Sequence, residues 1–260
     1  MSKKERIKTT LPPIVFIVLM FIIWEIVVWA LKIKPLFLPP PSMVFKKWIS
    51  FAFILLPHLQ ITLYETLAGF AVAIIVGFML AIILTYSTLA WNTLMPILLL
   101  LESVPTVAFA PLILVWFGYG DLPKILVALL VAFFPIVVDT ATGLNAVEPE
   151  LMDLIRSFKA STLQIYTKVR IPNSLPYFFS ALKVASALSV VGALVAEFVG
   201  SKAGIGYILL AAQLRFDTAL IIICIFILAL IGIGLYAIVS FTERLIMPWK
   251  AYKEKRIKEV

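Results

Sequence analysis

The stretch Leu67–Leu84, LAGFAVAIIVGFMLAIIL, holds no charged residue and no proline. With its flanks it approaches the ~20 apolar residues that cross a bilayer as a helix. A second uncharged run, Leu220–Phe241, is as long or longer. Around them the 260-residue chain is 63% hydrophobic and 14% charged, with a mean hydropathy of +1.09. One soluble core of this length does not need so much apolar surface, so the chain reads as an all-α integral membrane protein.

Apolar runs predict six spans, at about 11–31, 62–86, 92–117, 123–143, 178–200 and 218–241. The N-terminal run follows a basic segment but is too long for a signal peptide and has no small-residue cleavage site, so it reads as an anchor. Placing the N-terminus in the cytoplasm puts 15 of the 22 Lys and Arg residues on that side: Lys3, Lys4, Arg6 and Lys8, then Arg156, Lys159, Lys168, Arg170 and Lys183, then Arg244, Lys250, Lys253, Lys255, Arg256 and Lys258. The positive-inside rule therefore predicts a multi-pass protein with both termini cytoplasmic.

Composition excludes much chemistry. One cysteine, Cys224, and one histidine, His58, build neither a disulfide nor a metal cluster. They likewise supply no nucleophile with a base, so no catalytic residue is assigned. The net charge of +8 sits in loops and termini, which indicates contact with lipid headgroups and not nucleic acid.

Four local features shape the expected fold. After the first span, LPPPSMV (Leu38–Val44) forbids helix through its prolines, and Ser42 then reads as the N-cap of a short helix lying along the outer interface. Gly69, Ala73, Gly77 and Ala81 recur every four residues, a seam that lets another backbone approach closely. In the third span Glu102 and Pro105 interrupt the apolar pattern, and Pro111 interrupts it again, which predicts a kinked helix facing protein or water. Asp139 and Glu197 lie in the fourth and fifth spans, and either line a pathway or are buried carboxylates paired with Lys or with backbone at helix ends.

Between the fourth and fifth spans the loop at about 144–176 is far longer than a turn requires. Within it, PELMDLIRSFKASTLQIYTKVRIP (Pro149–Pro172) carries apolar residues at helical spacing in two groups. Two short amphipathic helices are predicted, with a corner near Lys159–Ser161, the second ended by Pro172 and Pro176. Their apolar stripe either packs on its own membrane domain or enters a groove on a partner; spacing does not separate the two.

This loop resembles that of the membrane subunits of binding-protein-dependent ABC importers of the nitrate/sulfonate/taurine type. The family pattern is Glu-Ala-Ala, three residues, Gly, nine residues, then Ile-x-Leu-Pro. Here the same register gives Asp153-Leu154-Ile155, Lys159, then Val169-Arg170-Ile171-Pro172. Further matches are LPPPSMV, VPTVAFAPLILVWFGYG (Val104–Gly120), FFPIVVDTATGL (Phe133–Leu144) and VVGALVAEFVGSKAGIGYI (Val190–Ile208), so the likeness runs from about Leu38 to Trp249.

The resemblance implies a type I ABC importer permease, one transmembrane domain over residues 1–260, in the plasma membrane of a prokaryote. It implies a second permease subunit, a copy of this chain, two ATP-binding cassette ATPase subunits and an external solute-binding protein. The ATPases would dock on a coupling helix carrying Asp153, Leu154, Ile155, Phe158, Lys159, Ala160, Val169, Ile171 and Pro172. The chain has no G-x-x-x-x-G-K-[ST] motif, so ATP belongs on a partner and no cofactor is expected here. Leu154 and Ile155 replace two alanines, which predicts a wider or more apolar partner groove. Lys159 replaces glycine, and a lysine at positive φ is strained where glycine is not, so a differently built corner is expected.

Two rival functions stand beside this one: a membrane-embedded enzyme, which lacks its chemical equipment, and an ion-coupled secondary transporter using Glu102, Asp139 and Glu197. Candidate pathway residues are Glu102, Pro105, Asp139 and Glu197. Cargo alternatives are a nitrate-, sulfonate- or taurine-like anion and a thiamine-precursor or riboflavin-like organic solute, with the acidic residues favouring a neutral or zwitterionic one.

Overall fold

The computed structural model describes residues 3–249, with side chains from residue 11 onward. The C-terminal basic residues Lys250, Lys253, Lys255, Arg256 and Lys258 lie outside the described residues. The chain folds into α1 (Lys3–Ala30), α2 (Pro41–Tyr86), α3 (Thr88–Ser103), a 3₁₀ turn (Thr106–Phe109), α4 (Ala110–Phe117), α5 (Asp121–Asn145), α6 (Pro149–Ser157), α7 (Thr162–Ile165), a π-helical turn (Tyr166–Arg170), α8 (Ile171–Gly200), α9 (Ile205–Leu214) and α10 (Thr218–Ile246). Among the described residues five helices are long and apolar enough to cross a membrane, and α3 and α4 together have the length and hydropathy for a sixth but are bent at a break between them.

At the centre α5 lies between α2 and α8, and small residues set the distances. A Cβ on Gly69 of α2 would stand 2.6 Å from the Ala128 Cβ of α5, and one on Gly192 of α8 would stand 2.6 Å from the Ala128 Cα. Gly77 meets Ile136 in the same way at 2.8 Å. The predicted seam is thus a packing face: Gly69, Ala73, Gly77 and Ala81 are all buried. In lipid, where apolar helices gain little by hiding from solvent, such close backbone approach provides the dispersion contact that holds them together.

Several expectations are corrected. The helix after the three prolines is not a separate interfacial piece but the first half of α2, which runs 46 residues without a break, or roughly 69 Å at 1.5 Å per residue. Pro41 occupies its first turn, where the missing N–H costs nothing, and Pro57 is carried inside the helix. Ser42 does not cap it. The cap comes from α1: Glu25 accepts from the Ser42 N–H at 3.0 Å and from its hydroxyl at 2.8 Å.

The third span is broken, not merely kinked. α3 and α4 meet at 85°, because Val104 is extended ahead of Pro105 and Pro111 starts a new helix within its first turn. Pro172 and Pro176 do not end the second loop helix either. The Ile171 N–H bonds to the Tyr166 carbonyl, five residues back, and this wider π turn gives the ring of Pro172 the room that an ordinary turn would deny it. Helix therefore continues from Thr162 to Gly200. The short apolar helix α9 was not anticipated.

Candidate functional sites

The loop between α5 and α8 begins as its sequence suggests, with Pro149 in the first turn of α6. Its corner corrects the expectation for Lys159. That residue sits at φ 54°, in the left-handed conformation that glycine takes in the family pattern. The Lys159 N–H reaches the Arg156 carbonyl at 2.9 Å and the Ala160 N–H the Ile155 carbonyl at 3.5 Å. These are the two bonds of a Schellman cap, and they offset the cost of the non-glycine residue. Ser161 then opens α7 with a reciprocal capping box: its hydroxyl accepts from the Gln164 N–H while the Gln164 side chain accepts from the Ser161 N–H.

The loop divides into two faces. Met152 and Tyr166 are buried, Ile155, Val169 and Ile171 are half-buried, and Ile171 joins the cluster of Leu84, Leu98 and Leu144. On the other face Leu154 is 53%, Phe158 77% and Leu163 74% exposed. Asp153, Lys159 and Pro172 are exposed beside them and Ala160 is half-buried. Asp153 pairs with Arg156 at 3.7 Å across solvated side chains, which contributes little.

Three contacts not foreseen from sequence fasten the loop to the spans. The Arg170 guanidinium donates to the Thr85 carbonyl at the end of α2, 3.0 Å, and to the Tyr166 hydroxyl at 3.0 Å. The Tyr166 hydroxyl in turn donates to Thr85 Oγ1 at 3.2 Å. Asn173 Nδ2 donates to the Gly143 carbonyl at 3.1 Å.

A second polar site lies at the opposite end of the spans. Lys124 Nζ of α5 donates to Glu65 Oε1 of α2 at 2.5 Å with both side chains buried, and Asp121 stands 3.7 Å from the same ammonium. Glu197 of α8, 1% exposed, accepts from the Thr62 hydroxyl at 2.6 Å and from the Gly206 N–H in the first turn of α9. Thr62 Oγ1 accepts from the Ile205 N–H at 2.8 Å, and His58 Nδ1 accepts from the Gly204 N–H at 3.0 Å. Gly204, at φ +112°, leaves no space for a side chain against the Glu197 carboxylate. The hairpin joining α8 to α9 is thus pinned to α2 by its own backbone donors. Above it opens a cavity of about 650 Å³ bordered by Ile61, Tyr119, Asp121, Lys124 and Lys202.

The four candidate pathway residues do not form one cluster. Glu102 and Pro105 are exposed at the break between α3 and α4, Asp139 is half-buried on α5, and Glu197 lies in the buried site just described. Glu65 and Lys124, which sequence reading passed over as site residues, are 59 positions apart, so only the fold reveals the pair. An ionisable residue at the edge of each span was the available signal.

Residues 73–250 match the family described as "Binding-protein-dependent transport system inner membrane component". The chain is 30% identical over 247 residues to the formylaminopyrimidine transport permease protein ThiX of Halalkalibacterium halodurans, covering 95% of this chain and 98% of that one. It is 34% identical over 239 residues to the riboflavin transport system permease protein RibX of Chloroflexus aurantiacus, covering 91% and 89%. The taurine transport system permease protein TauC of Escherichia coli is 27% identical over 234 residues, covering 87% and 85%. Among solved structures, a chain of the MetNI methionine ABC transporter in an inward-facing conformation superposes with a TM-score of 0.60 at 19% identity, covering 74% of this chain and 97% of that one.

Proposed function

Because this chain belongs to the family of binding-protein-dependent transport system inner membrane components, and so is the permease subunit of an ABC importer, we propose that loop 144–176 is the element on which its ATPase partners act. The observation that carries this is the exposed apolar face of Leu154, Phe158 and Leu163. Of the two uses open to the stripe, packing inward accounts for Met152 and Tyr166, while the other face is left for a partner's groove. Arg170, Tyr166 and Asn173 then link that groove to the ends of α2 and α5, so a displacement of α6 moves the spans.

The assembly contains two copies of this chain, two ATPases and an external binding protein, with both termini in the cytoplasm of a prokaryotic cell. Glu102 supports the pairing: it is exposed at a broken span, and a carboxylate at that depth needs a neighbouring subunit or water. Pro105, Asp139 and Glu102 are assigned to the route taken by the cargo, whereas Glu197 acts by holding the hairpin before α9. The cargo is a small neutral or zwitterionic organic solute. Relatives named for formylaminopyrimidine and riboflavin support this, as does Lys124, whose charge is met by Glu65 instead of facing the cavity unopposed.

The test is uptake into proteoliposomes holding the permease with its ATPase and binding protein. Uptake that needs ATP and persists when ion gradients are collapsed supports the reading. Uptake that follows an ion gradient and ignores ATP refutes it.

A further inference from the structure

The buried site at the far end of the spans holds more negative than positive charge. Glu65 is fully buried, and its Oε1 takes the Lys124 ammonium at 2.5 Å. Its other oxygen, Oε2, is buried and meets no donor. The carboxyl of Glu197 is a side-chain neighbour of the Glu65 carboxyl. Glu197 is already satisfied on both oxygens, by Thr62 on Oε1 and by the Gly206 N–H on Oε2. Two neighbouring carboxylates sharing one ammonium, with Oε2 of Glu65 lacking a donor, would repel each other.

Among the described residues no other neighbour supplies the missing charge. On α2, His58 accepts a hydrogen bond at Nδ1, so in this state its ring is neutral with the proton on the other nitrogen. On α5, Asp121 adds a further negative charge on the solvated side of Lys124. From α10 the nearby titratable group is the buried thiol of Cys224. The first turn of α9 contributes N–H groups and a partial positive charge, both directed at Glu197.

We propose that Glu65 and Glu197 share one proton, carried on Glu65 Oε2 and donated to Glu197, and that this proton latches the hairpin before α9 onto α2 and α5. The donors assign the roles. Glu197 has the two hydrogen bonds that suit an ionised carboxylate, whereas Glu65 has an orphaned oxygen that a proton completes. With the proton in place the cluster of Glu65, Lys124 and Glu197 is neutral and every oxygen is paired. Without it, repulsion between the two carboxylates acts on the contact that holds α9 beneath the cavity. This latch is independent of the importer reading.

The experiment is infrared spectroscopy of the full-length chain in lipid nanodiscs, in an Asp139→Asn background that removes the half-buried carboxyl of α5. A protonated-carboxyl carbonyl band is expected at neutral pH, lost in Glu65→Gln and lost on titration to alkaline pH. Thermal stability of the parent falls over the same alkaline range, whereas Glu65→Gln, whose amide keeps a permanent donor towards Glu197, stays flat. Glu197→Gln is destabilised already at neutral pH, because an amide does not accept at both positions. Absence of the band in the parent, its persistence in Glu65→Gln, or an alkaline loss of stability shared by Glu65→Gln would each overturn the proposal.

Discussion

The guanidinium of Arg170 donates to the backbone carbonyl of Thr85 at 3.0 Å, so the last turn of α2 is capped by a residue of the α5–α8 loop. The pairing satisfies a carbonyl that a helix end leaves free, and puts a cation where the helix dipole favours one. It also ties the loop directly to α2. Replacing Arg170 with Met should keep the ATPase bound but lower transport about tenfold, since a hydrogen bond to a charged group is worth ~1.5–3 kcal/mol. Copurification and uptake measured on the same preparation check this. Equal loss of both would mean that Arg170 only supports folding.

Lys159 holds a conformation in which a non-glycine residue costs about 1–2 kcal/mol. Lys159→Gly should therefore raise the melting temperature of the purified complex and leave ATPase binding intact. Lys159→Val, branched at Cβ, should lower the melting temperature and weaken binding together. Indifference to both substitutions would show that the corner is remade when the partner docks.

Gly192 meets the backbone of Ala128 with no room for a methyl group, whereas a Cβ on Gly234 meets nothing within 4 Å. Gly192→Ala should destabilise the fold by about 1–3 kcal/mol through overpacking, and Gly192→Leu should prevent accumulation in the membrane. Gly234→Ala should be neutral or stabilising by about 0.5–1 kcal/mol, the helix propensity difference. Thermal unfolding in detergent measures both.

Glu25 ties α1 to α2 through Ser42, and few other contacts join α1 to the bundle. Glu25→Ala should remove the side-chain acceptor at the α2 N-terminus, costing about 1 kcal/mol as for other lost caps. A cysteine pair placed across α1 and α2 should crosslink less in that variant than in the parent.

The parts of this fold that were legible in the sequence rest on local repetition. Leu67–Leu84 declares a span by length, Gly69 and Gly77 declare a close approach by spacing, and Pro149 declares the start of α6. What escaped depends on partners distant in the chain. The Glu65–Lys124 pair spans 59 positions and the Arg170–Thr85 bond spans 85, so neither leaves a local pattern. Prolines misled in both directions: Pro105 breaks its span outright, while Pro172 is absorbed by a π turn. Lys159 misled because backbone bonds to Arg156 and Ile155 outweigh its intrinsic preference. The capping box of Ser161 and Gln164 is legible in its spacing.

On the proposed reading, the exposed apolar face of the α5–α8 loop docks an ATPase. The most direct measurement is copurification of the ATPase with the tagged chain, comparing the parent with a Phe158→Asp, Leu163→Asp double variant. Both side chains are solvent-exposed, so the variant should fold and reach the membrane at parental levels. The ATPase should be recovered with the parent and lost from the variant. Equal recovery from a variant that is folded and present at parental levels would contradict it.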